Sequence, residues 1–156
     1  MTRTVFLGLL SASVALFTDQ VTKSVVVAYA SVLSAGVKLF SGFDLVLLRN
    51  DGVSFGMLGN APWWALVGLA LGICSWMALQ MLRAESRIEA LAYGAVIGGA
   101  LGNVMDRLRF QAVTDFLGVH IGALHWPAFN LADVFIVSGV AVLLASTLWS
   151  FSQDQA

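Results

Sequence analysis

The sequence GGALGNVMDRLRFQAVTDF, residues 98–116, changes from apolar to charged within a few positions. Its first half is rich in glycine and aliphatic residues, as in a helix packed inside a membrane, and its second half carries Asp106, Arg107 and Asp115. Only 11% of the 156 residues are charged, so charges this close to an apolar run need an explanation. The stretch predicts a helix that leaves the membrane near Asp106 and presents ionisable groups there.

The composition is that of a membrane protein. Hydrophobic residues make up 59% of the chain and the mean hydropathy is +0.87, far above a soluble domain. A chain of this length has room for a few spans but no second globular domain, so one domain over residues 1–156 is expected. The net charge of −1 and the lack of a Lys/Arg cluster argue against a nucleic-acid partner. The single cysteine, Cys74, excludes dithiol oxidoreductase chemistry.

Four apolar segments come close to the roughly 20 residues that a helix needs to cross the hydrocarbon core of a bilayer. Two of them, residues 61–82 and 134–153, contain no charge, and the other two lose their apolar character at one end, near Asp19 and Asp106. The sequence predicts an all-α integral membrane protein, a bundle of four transmembrane helices over residues 4–29, 61–82, 90–107 and 130–151. The first segment also resembles a secretory signal peptide, but its small residues fall inside the apolar run, and its removal would leave three spans.

Two connections between the spans are long. Over residues 35–59, glycines interrupt a partly alternating apolar pattern, and we predict a small β-hairpin that turns at Ser41 and Gly42. The hairpin must lie at the interface or against the helices, because backbone polar groups outside a helix cannot face lipid. The second connection, residues 108–128, is predicted to be a flexible loop that folds back on the bundle.

The charges conflict with a simple topology. Four spans place both termini on the same side as the loop at residues 83–87, and that side carries three arginines. The opposite side carries five cations, so the positive-inside rule would favour the reverse orientation if charges were merely counted. Some of these five must have another role: Lys23, Lys38, Arg49, Arg107 and Arg109.

Glycines recur at every fourth position in two of the predicted helices. Gly94, Gly98 and Gly102 form one stripe, and Gly68 and Gly72 form another. Because a stripe of small residues lets a neighbouring helix approach closely, both stripes are interpreted as packing surfaces.

Several polar residues near the span ends allow a purely structural interpretation. Asn103, Asp106 and Arg107 share one helix face and could anchor the end of the third span. Asn130 and Asp133 have the spacing of a capping box at the start of the fourth.

The remaining polar residues can also be explained one by one. Asp19 and Lys23 have the spacing of an ion pair within a helix, and Asn50 and Gly52 are common turn residues. Together with Asp115, however, all of these groups fall near the same face of a four-span bundle. A cluster of ionisable groups in a membrane protein indicates a functional site.

The residue types in this cluster favour acid chemistry. The sequence contains neither a G-x-S-x-G nor an H-E-x-x-H motif, which serine and zinc hydrolases use. Asp115 follows the third span and Asp133 begins the fourth, and the connection between them could bring the two together. Two close carboxyl groups do not both ionise readily, so one keeps a proton while the other takes one from water. This is the apparatus of an aspartic protease, which needs no metal.

Five segments carry a more specific signal. In chain order they resemble the five sequence boxes of the bacterial lipoprotein signal peptidases, signal peptidase II, and they cover residues 19–133. The segments are DQVTK (19–23), NDGVSFG (50–56), GGALGNVMDR (98–107), VTDF (113–116) and WPAFNLAD (126–133).

The resemblance implies an aspartic endopeptidase of the bacterial inner membrane with both termini in the cytoplasm and the active site near the periplasmic face. It would cleave the signal peptide from diacylglyceryl-modified prolipoproteins, on the N-terminal side of the lipidated cysteine. The hairpin would be a periplasmic β-cradle, and the antibiotic globomycin would be an inhibitor. The enzyme would work as a monomer among membrane lipids, without cofactor or metal.

The resemblance also implies the roles of individual residues. Asp115 and Asp133 match the catalytic pair of the family. Eight residues match positions that support the site or bind substrate: Asp19, Lys23, Asn50, Gly52, Asn103, Asp106, Arg107 and Asn130.

A different class of function is the alternative. The same acids could relay protons in a small proton-coupled membrane carrier, or the chain could be a non-enzymatic membrane scaffold. A carrier usually shows inverted repeats and helices broken near the midplane, and neither is visible in the sequence. A scaffold has no need of two acids placed together.

Overall fold

The computed structural model describes residues 2–52 and 61–153. Helices and strands follow one another along the chain in this order: α1 Arg3–Ala28, α2 Ala30–Leu33, β1 Val37–Phe40, β2 Phe43–Asn50, α3 Trp63–Arg83, α4 Arg87–Phe110, β3 Val113–Ile121, β4 Leu124–Phe129 and α5 Leu131–Gln153. The second half of the NDGVSFG motif and the end of the predicted cradle, residues 53–60, lie outside the described residues.

Helices α1, α3, α4 and α5 are each long and apolar enough to cross a membrane, which confirms the prediction of four long apolar helices. Helix α4 is central, because α1, α3 and α5 all pack against it. The outer faces of the bundle expose large apolar side chains such as Phe17, Leu148 and Trp149, as expected of surfaces that meet lipid. Helix α4 continues to Phe110, beyond the predicted end of the span, so Asp106 and Arg107 lie in its last turns.

One of the two glycine stripes is a packing surface. A Cβ atom on Gly94 or Gly98 would collide with the backbone of α1, and one on Gly102 would collide with the Asp19 side chain. The interpretation of the second stripe was wrong: Gly68 and Gly72 have open space around them within the described part of the chain. Helix α3 meets the bundle through a different face, which includes Leu66, Val67, Cys74 and Met81.

The strands form one antiparallel sheet in the order β1-β2-β3-β4. The hairpin β1–β2 turns at Ser41 and Gly42, as predicted, and Gly42 has a φ of 90°, in the left-handed region that favours glycine. The prediction of a flexible loop over residues 108–128 was wrong, because β3 and β4 lie there and continue the sheet. The β-branched and aromatic residues of VTDFLGVHI favour a strand over a loop.

A short corner joins α4 to β3. Gln111 adopts a left-handed conformation with a φ of 58°, and its N–H donates to the Arg107 carbonyl at 2.9 Å, which ends the helix. The chain enters β3 two residues later, and the first residues of that strand are buried. Phe116 of β3 packs with Val26 and Leu33, so the sheet is fixed to the end of the bundle near the ends of α1 and α4.

Candidate active site

Asp115 lies in β3 and is only 2% exposed. Its two carboxylate oxygens accept hydrogen bonds from the side-chain amides of Asn50, at 2.9 Å, and Asn130, at 2.7 Å. Burial raises the pKa of Asp115 to about 6; the Asn50 amide opposes this shift, the neighbouring charge of Asp133 adds to it, and the Asn130 amide opposes it. Asp115 therefore takes up a proton far more readily than an exposed aspartate.

Asp133 lies in the first turn of α5 and is half-buried. One carboxylate oxygen accepts from the Asn103 side-chain amide at 3.0 Å, and the other accepts from the Asn130 backbone N–H at 3.2 Å. The Asp133 N–H in turn donates to the Asn130 side-chain oxygen at 3.1 Å. This reciprocal pair is the capping box that the spacing predicted.

Asn130 joins the two aspartates. It is fully buried, and it caps α5 through its side-chain oxygen while its amide group donates to Asp115. The same residue therefore fixes the start of the helix that carries Asp133 and one of the hydrogen bonds to Asp115. The structural and the functional interpretation of this pair are compatible.

Two charged residues of α1, Asp19 and Lys23, hold the start of α5 in place. Lys23 donates to Asp19 and to the Asn103 side-chain oxygen, both at 2.9 Å. The other Asp19 oxygen accepts from the Ala132 N–H at 3.0 Å, which satisfies a backbone donor that the helix leaves free. Since Asp19 and Lys23 are 0% and 3% exposed, the predicted ion pair exists, and it also positions α5.

Asp106 holds the beginning of β3. Its carboxylate accepts from the Thr114 N–H at 2.8 Å and lies 3.6 Å from the Lys23 ammonium. Thr114 directly precedes Asp115, so Asp106 fixes the backbone of β3 next to the candidate catalytic acid.

Arg107 and Gly52 hold the turn that carries Asn50, one of the two residues bonded to Asp115. The Asn50 side-chain oxygen accepts from the Gly52 N–H at 3.1 Å, as in the predicted turn, and the Gly52 carbonyl accepts from Arg107 at 2.9 Å. The turn therefore orients the Asn50 amide toward Asp115. The hydrogen bonds and ion pairs described above therefore connect all ten residues that the sequence predicted for the site.

Two members of the cluster were not predicted. The Gln20 amide donates to Asp19, to the Gly102 carbonyl and, at 3.5 Å, to Asp106, so it connects α1 to α4. Thr114 is completely buried and accepts a hydrogen bond from Arg49 at 2.6 Å. Both residues fall inside the motifs that carry the resemblance, which is the signal that could have identified them.

An apolar cavity of about 410 Å³ lies between β4 and the first turns of α5. Residues 126–129 line one side and Val134, Ile136 and Val137 line the other. Asp133 is the acidic residue in this lining. A carboxyl group that borders an apolar cavity can meet a largely apolar molecule and a water molecule together.

Comparison with known proteins agrees with this arrangement. The sequence model of the family described as Signal peptidase (SPase) II matches residues 11–149, most of the chain. The chain belongs to the signal peptidase II family. As a member of this family, the protein is a membrane aspartic protease.

Relatives in the signal peptidase II family align along most of the chain. The lipoprotein signal peptidase of Methylobacterium sp. (strain 4-46) is 38% identical over 99% of this chain and 96% of its own length. That of Azoarcus sp. (strain BH72) is 44% identical over 83% of this chain and 76% of its own. That of Anaplasma phagocytophilum (strain HZ) is 39% identical over 96% and 97%.

Two solved structures, both described as a bacterial membrane enzyme, share the fold. The first has a TM-score of 0.84 with 23% identity and covers 94% of this chain and 90% of its own. The second has a TM-score of 0.75 with 22% identity and covers 90% of this chain and 92% of its own. These similarities support the fold of four apolar helices with a small antiparallel sheet.

Proposed function

We propose that the protein cleaves the signal peptide from diacylglyceryl-modified prolipoproteins, on the N-terminal side of the lipidated cysteine, with Asp115 and Asp133 as its catalytic dyad. The observation that carries this proposal is the position of Asn130, which contacts both acids at once: its amide donates to Asp115, and its backbone N–H donates to Asp133. Membership of the signal peptidase II family supports the same reaction.

The two acids divide the chemistry according to their surroundings. Asp133 is half-buried beside the cavity and acts as the general base, taking a proton from the water that attacks the scissile carbonyl. Asp115 holds the shared proton, because burial raises its pKa to about 6, and it donates that proton to the carbonyl oxygen. When the intermediate collapses, Asp133 gives its proton to the leaving amine and Asp115 takes one back, so both acids return to their starting states.

The apolar cavity supports a substrate that is itself largely apolar. We infer that part of the lipidated substrate lies between residues 126–129 and α5, next to Asp133. Globomycin would inhibit the enzyme by occupying the same region. We propose that the protein acts as a monomer and that residues 1–156 act as one domain, because the described catalytic and support residues contact one another within one chain.

The same function accounts for the charge distribution. We propose that both termini are cytoplasmic, that the protein lies in the bacterial inner membrane, and that the sheet and the dyad lie at the periplasmic face. Lys23 and Arg107 then serve the site rather than the topology, as their hydrogen bonds to Asn103 and Gly52 suggest. Reporters fused after Gln155 and within residues 83–87 should both read cytoplasmic, and a periplasmic C-terminus would contradict the orientation.

The decisive experiment measures cleavage of one prolipoprotein by the purified protein. Three reactions are compared: the diacylglyceryl-modified precursor, the same precursor without the lipid, and the modified precursor with globomycin. Cleavage is expected in the first reaction only. A proton-coupled carrier or a scaffold would cleave in none of them, and equal cleavage with and without the lipid would contradict the proposed substrate.

A further inference from the structure

Two arginines near the sheet remain without an acidic partner. Arg49 and Arg109 are both exposed, and neither makes an ion pair with a described residue. Residues 53–60, which the structure does not describe, contain no acid. Each guanidinium carries five N–H donors, and each makes a single hydrogen bond in the described part: Arg49 to Thr114 at 2.6 Å and Arg109 to Gln20 at 3.2 Å.

Arg109 lines a cavity that is separate from the one beside Asp133, and Arg49 contacts two residues of that cavity lining. The cavity has a volume of about 190 Å³ and lies between α1 and the end of α4. Arg109, Phe110 and Thr114 are part of its lining. Arg49 reaches its edge, because it bonds Thr114 and its guanidinium carbon lies 4.0 Å from the centre of the Phe110 ring.

The charged groups on the floor of this cavity pair with one another, and the unpaired charges at its edge are, among the described residues, the two arginines. Lys23 and Asp106 line the floor, and the Lys23 ammonium already contacts Asp19, Asp106 and Asn103. The charge available to a ligand therefore comes from the two arginines. A planar guanidinium is well suited to a phosphate, to which it can donate two hydrogen bonds.

The position of the cavity indicates where such a phosphate comes from. Lys23 lies within the last two turns of the apolar helix α1, and Arg109 lies in the last turn of α4. The cavity therefore lies at the same end of two of the helices that are long and apolar enough to span a membrane. Leu108 and Phe110, 60% and 47% exposed, flank Arg109 in sequence and offer apolar surface next to the charge. Cations above apolar surface at this end of the bundle match a phospholipid, with its phosphate above its acyl chains.

We propose that Arg49 and Arg109 form a binding site for the phosphate of an anionic membrane phospholipid, whose headgroup enters the cavity between α1 and α4. The site goes beyond the proposed function, because it requires neither peptidase activity nor a particular orientation in the membrane. Its back wall includes Thr114, which Asp106 holds next to Asp115, so a bound headgroup would also stabilise the corner between α4 and β3.

Native mass spectrometry of the full chain in detergent, with phosphatidylglycerol and phosphatidylcholine at equal concentration, tests the site. The unmodified protein should bind phosphatidylglycerol preferentially. Arg49→Gln and Arg109→Gln should each lower its affinity about tenfold, the usual order for a charge-assisted hydrogen bond. Lys38→Gln is the matched control, since Lys38 is an exposed cation of β1 that lies opposite Asp44, whereas Arg49 lies opposite Thr114 of the cavity lining.

Several outcomes would overturn the proposal. One is equal binding of the two lipids by the unmodified protein. This measurement does not depend on whether any variant folds. Another is an equal loss in Lys38→Gln, which would mean a general attraction of the surface for anions. A third is competition by inorganic phosphate as strong as that by the lipid, which would assign the site to a free phosphate. The variants Arg49→Lys and Arg109→Lys, which keep the charge but lose the planar fork, should bind with intermediate affinity.

Discussion

Asp115 and Asp133 reach one cluster from two different kinds of backbone. Asp115 lies in a strand, is 2% exposed and receives its hydrogen bonds from side-chain amides that belong to other elements. Asp133 lies in the first turn of a helix, is half-buried beside a cavity of about 410 Å³, and is held partly by the cap of its own helix. The difference teaches that two chemically identical side chains in one cluster can have very different surroundings, which is the basis for the different roles proposed for them.

The strongest test of this comparison replaces each acid by its isosteric amide. Asp115→Asn and Asp133→Asn should each lower turnover of the lipidated precursor by roughly 10⁴-fold, because each variant removes one half of the proton cycle. The double variant should be little worse than either single one, since residues that act as a unit are not additive. Rates are measured at matched protein levels in membranes.

Asp44→Asn is the matched control for these variants. Asp44 is an aspartate of the same sheet, but it pairs with His120 at 3.3 Å, outside the cluster. It should retain activity close to that of the unmodified protein. Near-normal turnover in either Asp115→Asn or Asp133→Asn would remove that residue from the dyad.

Asn130 tests whether the two regions depend on one residue. Asn130→Ala removes the amide bonded to Asp115 and the cap of α5, and should lower turnover about 10²-fold, as misplacement of reacting groups does. Asn130→Ser keeps a capping side chain but cannot reach Asp115 in the same way. If Asn130→Ser is as stable to heat as the unmodified protein yet as slow as Asn130→Ala, the link to Asp115 matters. Full activity of Asn130→Ser would reduce Asn130 to a helix cap.

A smaller effect is expected for Asp106 and Asp19, which bond to residues adjacent to the two acids rather than to the acids themselves. Asp106→Asn weakens the bond from Thr114, on the Asp115 side, and Asp19→Asn weakens the bond from Ala132, on the Asp133 side. Each should lower turnover roughly tenfold, the equivalent of one charge-assisted hydrogen bond, and reduce the yield of folded protein. Losses as large as those of the dyad variants would contradict a supporting role.

The smallest expected change is a shift along the pH axis. The proposed mechanism needs Asp115 protonated and Asp133 ionised, so the pH profile of kcat/KM should be bell-shaped, and its limbs report on the pair. The Asn50 amide stabilises the ionised form of Asp115 and lowers its pKa. In Asn50→Ala the pKa of Asp115 should therefore rise, and its protonated form should persist to higher pH. The alkaline limb of the profile should shift to higher pH. A shift of the alkaline limb to lower pH would contradict the assignment of Asp115 as the proton donor.

Much of the site could be predicted from sequence because charged residues are conspicuous in an apolar chain. Asp19, Lys23 and Asp106 stand out against their surroundings, and spacing placed them on helix faces. Gln20 and Thr114 could not be found in this way, since an uncharged polar residue near a span end is ordinary and its burial depends on neighbours distant in sequence. Their contacts with α4 and Arg49 exist only in the folded bundle.

The errors about the fold have a related cause. Strand β3 contains Gly118 and follows α4 after a short corner, and β4 contains Pro127, so this segment resembles a loop until β3 pairs with β2 and β4 pairs with β3. The stripe of Gly68 and Gly72 shows that small residues permit a close approach but do not supply the neighbour. Pairing and packing partners are decided by the whole chain.

The cap at the start of α5 has a consequence for biosynthesis. Helix α5 leaves the ribosome after the other three described spans; its first turn carries Asp133, and Asn130, just before it, supplies an amide that Asp115 lacks until then. A nascent chain that has inserted α1, α3 and α4 therefore carries one acid of the pair without its counterpart. On the proposed mechanism, a chain has no peptidase activity until α5 has formed and docked.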